Sequence, residues 1–203
     1  RDGTKSFEGC VFCGDEGAGF ENLSSSLSVP EQLDRNIEFI REKYHARKFI
    51  AYFQNYTNTY MGLESFKSYI NDAVMDNIVE IDISTRPDCI SDEILEYLSD
   101  LKNLNRVNIT VELGLQTANY HTLRDINRGH TLAEFIDAVL RIKKYDFDIC
   151  AHVILNLPGD TMLDTVETAK ILSALKIDQV KIHSLYIMEG TEMGRAYKNN
   201  EIA

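Results

Sequence analysis

Along this chain, segments with the hydrophobic pattern of β-strands alternate with segments that have the pattern of α-helices. Five short segments are rich in Val, Ile and Phe, as strands are, at residues 48–53, 78–83, 107–113, 148–155 and 179–185. The segments between them place apolar residues every three or four positions, which predicts helices beginning near residues 28, 64, 91, 131 and 161 and an extra short helix at 119–126. Strands that alternate with helices predict an α/β fold with a parallel sheet and right-handed crossovers.

The two faces of each predicted strand differ in polarity. In the third strand Asn108, Thr110 and Glu112 alternate with apolar residues. The polar face continues on the other strands at Glu80, Asp82, Ser84, Cys150, His152, Lys181 and His183. A parallel strand that helices cover on both sides is apolar throughout, so we expect helices on the apolar face only. The polar face then either lines the interior of an open barrel or forms the solvated side of a flat sheet.

A polar interior favours an open barrel over a closed one. A complete eight-stranded TIM barrel fills its interior with branched apolar side chains. We therefore predict an open, partial parallel βα barrel of about six units, which is TIM-barrel-like and has its first strand at or before Arg1.

The composition fits a single globular domain. The chain has 203 residues, of which 44% are hydrophobic and 26% are charged, and its net charge is −11. These values argue against disorder, and the lack of a basic stripe argues against a large nucleic-acid surface. No apolar run approaches the ~18 residues that a membrane span needs, so we expect no membrane association and a cytoplasmic location. Because the chain starts at Arg1 without a methionine, we expect residues 1–203 to be one core domain truncated at both ends.

The carboxyl ends of the strands are where parallel α/β folds carry their active sites. At those ends this chain has mostly amide and other polar side chains and few acids, which suits a ligand with several hydrogen-bonding groups. The candidate residues of a substrate pocket are Tyr56, Arg86, His152, Lys181 and His183. A structural role is the alternative for His152, Lys181 and His183, although the place of the last two at the end of the final strand favours the pocket. For Arg86 the alternative is the anchoring of its own loop. A GxGxxG after a strand, a GxSxG and an HExxH are all absent from the sequence.

Cys10 and Cys13 form a CxxC motif near the N-terminus. The spacing alone leaves three interpretations open. The two thiols are half of a zinc site, a redox dithiol, or two ligands of an iron–sulfur cluster that needs at least one more thiolate. The other two cysteines, Cys89 and Cys150, are interpreted as packing residues.

Several motifs, taken together, resemble the radical S-adenosylmethionine (radical SAM) superfamily and most closely its YhcC-type subgroup. They are Gly9-Cys-Val-Phe-Cys13, Thr85-Arg-Pro-Asp-Cys89, Glu112-Leu-Gly-Leu-Gln-Thr117, Ile126-Asn-Arg-Gly-His130, Leu157-Pro-Gly159 and Lys181-Ile-His183. They occur nearly end to end in the family's order. The elongator catalytic subunit and oxygen-independent coproporphyrinogen oxidase are more distant relatives within the same resemblance.

The resemblance implies an enzyme, an oxidoreductase or transferase of unassigned reaction, with two cofactors. Cys10 and Cys13 would ligate a [4Fe–4S] cluster, and the subgroup places a third cysteine ligand three residues ahead of Arg1. The reduced cluster would cleave S-adenosylmethionine (SAM) to a 5′-deoxyadenosyl radical, which abstracts hydrogen from a substrate that the sequence does not identify. A reductant protein such as flavodoxin or ferredoxin would supply the electron. With only two of the thiolates, we expect the 203-residue chain by itself to hold the cluster poorly or not at all.

Roles for four SAM-binding residues also follow from the resemblance. Phe12 would lie near the adenine, and Leu157 would belong to the strand-end turn beside it. Gln116 would bond the ribose. Arg128 would pair with the SAM carboxylate in a charge-assisted contact.

Three further positions depart from the family pattern. Gln54 and Asn55 occupy the place of the glycine-rich segment that binds the SAM amino group, but that motif does not occur here in its usual form. Ser84 stands where several relatives have a glutamate. Glu112 either substitutes for that acidic SAM contact or belongs to the substrate side.

Two alternative functions come from other classes of protein. One is a non-catalytic barrel that binds SAM or another metabolite and holds zinc at the CxxC motif. The other is a metal-independent hydrolase or lyase that uses Glu112, Lys181 and His183.

Overall fold

The structure is a computed structural model, and it describes residues 9–14 and 23–202. The predicted strand at or before Arg1 lies outside the described residues. Five strands are present among them: β1 (Phe49–Phe53), β2 (Ile78–Thr85), β3 (Asn108–Gln116), β4 (Asp148–Leu155) and β5 (Gln179–Ser184). The α-helices are α1 (Val29–Tyr44), α2 (Leu63–Asp72), α3 (Asp92–Asn105), α4 (Tyr120–Asp125), α5 (Leu132–Ile142), α6 (Met162–Ala174) and α7 (Glu192–Lys198). One 3₁₀ turn, Pro87–Cys89, follows β2.

The five strands form one sheet in the order β1-β2-β3-β4-β5, and every neighbouring pair is parallel. Each strand lies beside the next one in the chain, so the sheet curls in one direction into a half-barrel. This confirms the predicted open, parallel βα barrel. The predicted strands are confirmed as well, with ends that differ from the observed ones by a few residues.

The apolar face of the sheet is the face that the helices cover. Ile81 on β2, Val111 on β3 and Ala151 on β4 are fully buried there. Helix residues such as Phe66 of α2 and Phe135 of α5 belong to the same buried cluster. Each buried valine, isoleucine or phenylalanine side chain of this kind contributes about 1.5–3 kcal/mol by leaving water. None of the described helices covers the opposite, polar face, which lines the open interior of the half-barrel, here called the lumen.

Side-chain capping boxes begin helices α1 and α5. At α1 the backbone N–H of Ser28 donates to Glu31 Oε2 at 2.8 Å, and at α5 the N–H of Thr131 donates to Glu134 Oε2 at 2.7 Å. Such caps contribute about 1 kcal/mol each. The cap of α5 matters for the site, because it ends the loop that carries Arg128. In the part of the chain that the structure describes, no helix has the length and apolarity to cross a membrane.

Candidate functional site

Glu112 is the centre of a polar network in the lumen. It lies on β3, its side chain is only 1% exposed, and both of its oxygens have partners. Lys181 Nζ donates to Oε1, while His152 Nε2 lies 2.7 Å from Oε2 and Ser84 Oγ donates to Oε2 at 3.1 Å. Burial by itself raises the pKa of Glu112, but the hydrogen bonds from His152 and Lys181 outweigh burial and lower that pKa to about 2. Glu112 is therefore ionised at neutral pH.

The network continues from Glu112 toward the open side of the lumen. His183 Nε2 lies 3.1 Å from His152 Nδ1, and the two imidazole rings stack with centroids 5.0 Å apart. The Lys181 ammonium group lies 4.3 Å from the centre of the Tyr52 ring, a cation–π contact. The structure thus brings together three of the five predicted pocket residues, namely His152, Lys181 and His183, around Glu112.

Sequence reasoning missed Tyr52 as a member of this network. Its hydroxyl lies 3.1 Å from Ser84 Oγ, and its position in β1 is paired with Asp82 on the polar face of β2. That alternation could have identified it, since residues two apart in a strand share a face. The aromatic predicted instead, Tyr56, is 70% exposed in the loop after β1 and has a positive φ of 61°.

A second acidic group lies deeper in the lumen. Burial, together with the neighbouring Glu80 carboxylate, raises the pKa of Asp82 to about 7. Asp82 Oδ1 is buried and has no hydrogen-bond partner among the described residues, whereas Glu80 accepts from Thr110 Oγ1 at 2.6 Å. Asp82 is thus partly protonated at neutral pH, and ionising it carries a free-energy cost in the folded protein.

This cost predicts how stability depends on pH. Asp82 has a higher pKa in the folded than in the unfolded chain, so between about pH 4 and pH 7 the folded state binds more protons, and stability falls as the pH rises through that window. Replacing Asp82 by Asn, which resembles the protonated carboxyl, is therefore expected to raise the unfolding temperature clearly more at pH 8 than at pH 5. Thermal unfolding followed by circular dichroism at both pH values measures this.

The exposed Asp100 of α3 supplies the matched control. Asp100→Asn removes the same charge from the surface and should shift the unfolding temperature equally at the two pH values. An Asp82→Asn variant with the same behaviour as this control would contradict the assignment of the raised pKa to Asp82.

The CxxC motif lies at the carboxyl end of the sheet. Val11, between the two cysteines, donates its N–H to the Ile126 carbonyl at 3.2 Å and accepts from the Met193 N–H at 3.0 Å. The loop is thereby attached both to the end of α4 and to the first turn of α7. Cys10 is half-buried and Cys13 is exposed.

Arg128 connects the CxxC loop to the end of β3. Its guanidinium group donates to the Gly114 carbonyl from Nε at 3.3 Å and from Nη2 at 2.8 Å, while Nη1 lies 3.6 Å from Cys10 Sγ. A hydrogen bond with Cys13 and the positive charge of Arg128 lower the pKa of Cys10 to about 5, against the effect of burial. Cys10 is therefore a thiolate at neutral pH, the form that binds metals.

The close approach of Arg128 requires glycine at position 114. A Cβ atom there would lie 2.9 Å from Gln116 Nε2 and nearer still to Arg128 Nη2. The register between β3 and β4 also shifts between Gly114 and Gln116, and Gln116 has a φ of 74°. This irregularity ends the regular strand at the point where Arg128 packs against it.

The remaining predicted SAM residues lie at the same edge of the sheet. Phe12 and Leu157, the two expected beside the adenine, both belong to a small apolar cluster with Ile126. Asn55 follows β1, and its Oδ1 is buried without a partner among the described residues, whereas its neighbour Gln54 is exposed.

Arg86 is held within its own loop. Its Nε and Nη2 donate to the two carboxylate oxygens of Asp88 at 2.9 and 2.6 Å, and Nη2 also donates to the Gly129 carbonyl at 3.3 Å. These contacts match the alternative that Arg86 anchors the loop, and they also join it to the segment that carries Arg128.

One group of side chains in the lumen has the composition of a metal site. Ligand atoms of Glu112, Cys150 and His152 all lie within 4.8 Å of one another. Both Glu112 oxygens already accept hydrogen bonds, however, and burial raises the pKa of the Cys150 thiol to about 11. A protonated thiol is a poor metal ligand, so we assign no metal to this group.

The chain belongs to the radical SAM superfamily, whose family model matches residues 7–172. It is similar to the uncharacterized protein YtqA of Bacillus subtilis, at 34% identity over all of this chain and 62% of that protein. It is also similar to protein YhcC of Escherichia coli, at 34% identity over 98% of this chain and 63% of YhcC. The chain therefore spans less than two thirds of the length of these relatives.

Two solved structures support the fold. The archaeal Elp3 of Methanocaldococcus infernus superposes with a TM-score of 0.74 at 22% identity, over 87% of this chain and 46% of Elp3. Coproporphyrinogen III oxidase (HemN) of E. coli, described as a radical SAM enzyme, superposes with a TM-score of 0.61 at 17% identity, over 95% of this chain and 44% of HemN. At these identities the likeness concerns the fold alone.

Proposed function

We propose that this chain is the core of a radical SAM enzyme that binds a [4Fe–4S] cluster through Cys10 and Cys13 and binds SAM beside them. The third thiolate of the cluster would come from the segment before Arg1. The chemistry that cluster and SAM supply when bound is reductive cleavage of SAM to a 5′-deoxyadenosyl radical that abstracts hydrogen from a substrate. An electron from a flavodoxin- or ferredoxin-type protein would be required.

One observation carries the proposal. Arg128 lies between the Gly114 carbonyl and the Cys10 sulfur, so a guanidinium group is positioned next to the proposed cluster ligand. Its side chain is nearly buried, with 9% of the residue exposed, and a buried guanidinium is a strong partner for a carboxylate. Arg128 would hold the SAM carboxylate in this place.

The other predicted SAM residues fit the ligand by chemistry. Asn55 Oδ1, which has no hydrogen-bond partner in the described part of the chain, is an acceptor that suits the SAM ammonium group. Phe12 and Leu157 offer an apolar surface to the adenine, and Gln116 offers an amide to the ribose hydroxyls. These groups would orient SAM at the carboxyl edge of the sheet, above the lumen that would hold the substrate.

The proposal is tested with the full-length protein, reconstituted with iron and sulfide without oxygen and supplied with SAM and dithionite. We expect release of 5′-deoxyadenosine and methionine, measured by mass spectrometry. An Arg128→Lys variant keeps the charge and loses the planar fork, so its SAM dissociation constant should rise about tenfold while its iron content is unchanged. A protein that binds one zinc ion, no sulfide and no iron would instead support the non-catalytic barrel.

A further inference from the structure

Three titratable side chains form a continuous line across the lumen. Glu112 Oε2 lies 2.7 Å from His152 Nε2, and His152 Nδ1 lies 3.1 Å from His183 Nε2. Exposure rises along the line, from 1% for the Glu112 side chain to 18% for that of His152, and His183 is exposed. The three residues come from β3, β4 and β5, so the line crosses the sheet from its buried centre to its open edge.

The proton positions along this line follow from the partners. Ionised Glu112 only accepts hydrogen bonds, so His152 must carry its proton on Nε2. The Nδ1 of a neutral His152 is then an acceptor, and His183 donates to it from Nε2. In this state the one ring nitrogen of His183 that has a lone pair is Nδ1.

An added proton would not have to stay on His183. If a proton binds to Nδ1 of His183, the proton on its Nε2 can pass to Nδ1 of His152. The positive charge then rests on His152, directly beside the Glu112 carboxylate, which stabilises an imidazolium through a charge-assisted hydrogen bond. In other proton-transfer sites, a carboxylate that is hydrogen-bonded to the ring of a histidine likewise fixes the tautomer of the imidazole and stabilises its protonated form.

The surroundings of His183 keep its imidazole neutral. Burial, then the positive charge that His152 carries when it is protonated, and then Lys181 lower the pKa of His183, while the Glu112 charge acts in the opposite direction. Lys181 belongs to β5, and its ammonium group contacts Glu112 and the Tyr52 ring of β1. His183 is therefore neutral, with a free-base nitrogen, at neutral pH.

We propose that His183 accepts a proton from the substrate in the lumen, with His152 and Glu112 as the relay that receives it. This proposal rests on the proposed function, because it takes the lumen as the substrate site. The O–H or N–H bond of the substrate breaks and the His183 Nδ1–H bond forms, while the proton on His183 Nε2 moves to His152 Nδ1. The reverse transfer returns it. The substrate class is thus a polar molecule whose hydroxyl or ammonium group hydrogen-bonds to an imidazole.

The test uses diethyl pyrocarbonate, which acylates neutral imidazole, on the full-length protein without SAM. Peptide mass spectrometry gives the rate at each histidine as a function of pH. We expect Glu112→Gln and His152→Gln each to lower the rate at His183 about tenfold, because the transferred charge loses its stabilising partner. The rates at the exposed His45 and His121 should not change. Glu64→Gln, which removes an exposed carboxylate that pairs with Lys67, is the matched control and should leave His183 unaffected.

A merely structural role of the line would not change the reactivity of His183. If His183 reacts at the same rate in both variants as in the parent protein, the relay is overturned. Circular dichroism checks that each variant is folded, and a second measurement does not depend on the variants. Nitrogen-15 spectra of histidine-labelled parent protein should show both His152 and His183 as Nε2–H tautomers, and an Nδ1–H tautomer at either residue would also overturn the relay.

These measurements separate the relay from the proposed function. If the reconstituted protein does not cleave SAM but Glu112→Gln and His152→Gln still lower the reaction rate of His183, the result counts against the radical SAM chemistry alone. If the protein cleaves SAM but the reaction rate of His183 is the same in both variants as in the parent protein, the result counts against the relay alone.

Discussion

Replacing Cys10 or Cys13 by serine is expected to reduce the iron content of the reconstituted full-length protein from about four atoms per chain to nearly none. Serine hydroxyls are not ionised at neutral pH and do not replace thiolates on iron. With either side chain lost, fewer than three thiolates would remain for the cluster. The change is measured by iron and sulfide analysis and by the visible absorbance of the cluster. Because Cys13 is exposed and Cys10 is half-buried, neither change should affect the folding of the sheet.

Cys89 supplies the control for the loss of a thiol. It ends the 3₁₀ turn after β2, on a different element from the CxxC loop. Cys89→Ser should keep the full iron content. Retention of a complete cluster in Cys10→Ser and Cys13→Ser would exclude these two residues as ligands and with them the proposed function.

The second large effect is expected from Gly114→Ala. The new methyl group would overlap Arg128 Nη2 and press against Gln116 Nε2, and both atoms are the ends of flexible side chains. The backbone can therefore stay in place while Arg128 leaves its position between the Gly114 carbonyl and Cys10. Loss of a hydrogen bond to a charged group costs about 1.5–3 kcal/mol, so SAM should bind roughly 10- to 100-fold more weakly, as measured by calorimetry on the reconstituted protein.

Gly62 offers a matched glycine for comparison. A Cβ atom at Gly62 would meet nothing within 4 Å, so Gly62→Ala tests the generic effect of the substitution without the displaced arginine. We expect parental SAM affinity and a nearly parental unfolding temperature for Gly62→Ala, whereas Gly114→Ala also loses the bonds of Arg128 to the Gly114 carbonyl and should unfold at a lower temperature. Unchanged SAM affinity in Gly114→Ala would show that Arg128 does not hold the SAM carboxylate from this position.

The half-barrel was predictable because its signals are local. Alternation within each strand separates Val111 from Glu112, and that period of two residues decides which side chains face the helices. The short loops between strands and helices then leave the order of the sheet little freedom. The CxxC motif is local as well, which is why the two proposed cluster ligands could be chosen from spacing and resemblance.

The contacts of the site were not predictable in the same way. Arg128 reaches the carbonyl of Gly114, fourteen positions earlier in the chain, because the strand ends irregularly between Gly114 and Gln116. Nothing in the local pattern around Arg128 indicates that partner. Tyr52 was likewise missed in favour of Tyr56. The alternation along β1 places Tyr52 on the polar face, but its contact with Ser84 depends on the pairing of β1 with β2.

The sequence by itself determined which residues face the lumen and which face the helices, because side-chain direction alternates along a strand whatever its neighbours are. Only the tertiary structure decided which of the lumen residues meet. The register of β3, β4 and β5 puts Lys181 and His152 on the two oxygens of Glu112 and His183 behind His152. Register is set by packing between distant segments, and a shift of two residues would keep every side chain on its face while breaking every one of these contacts.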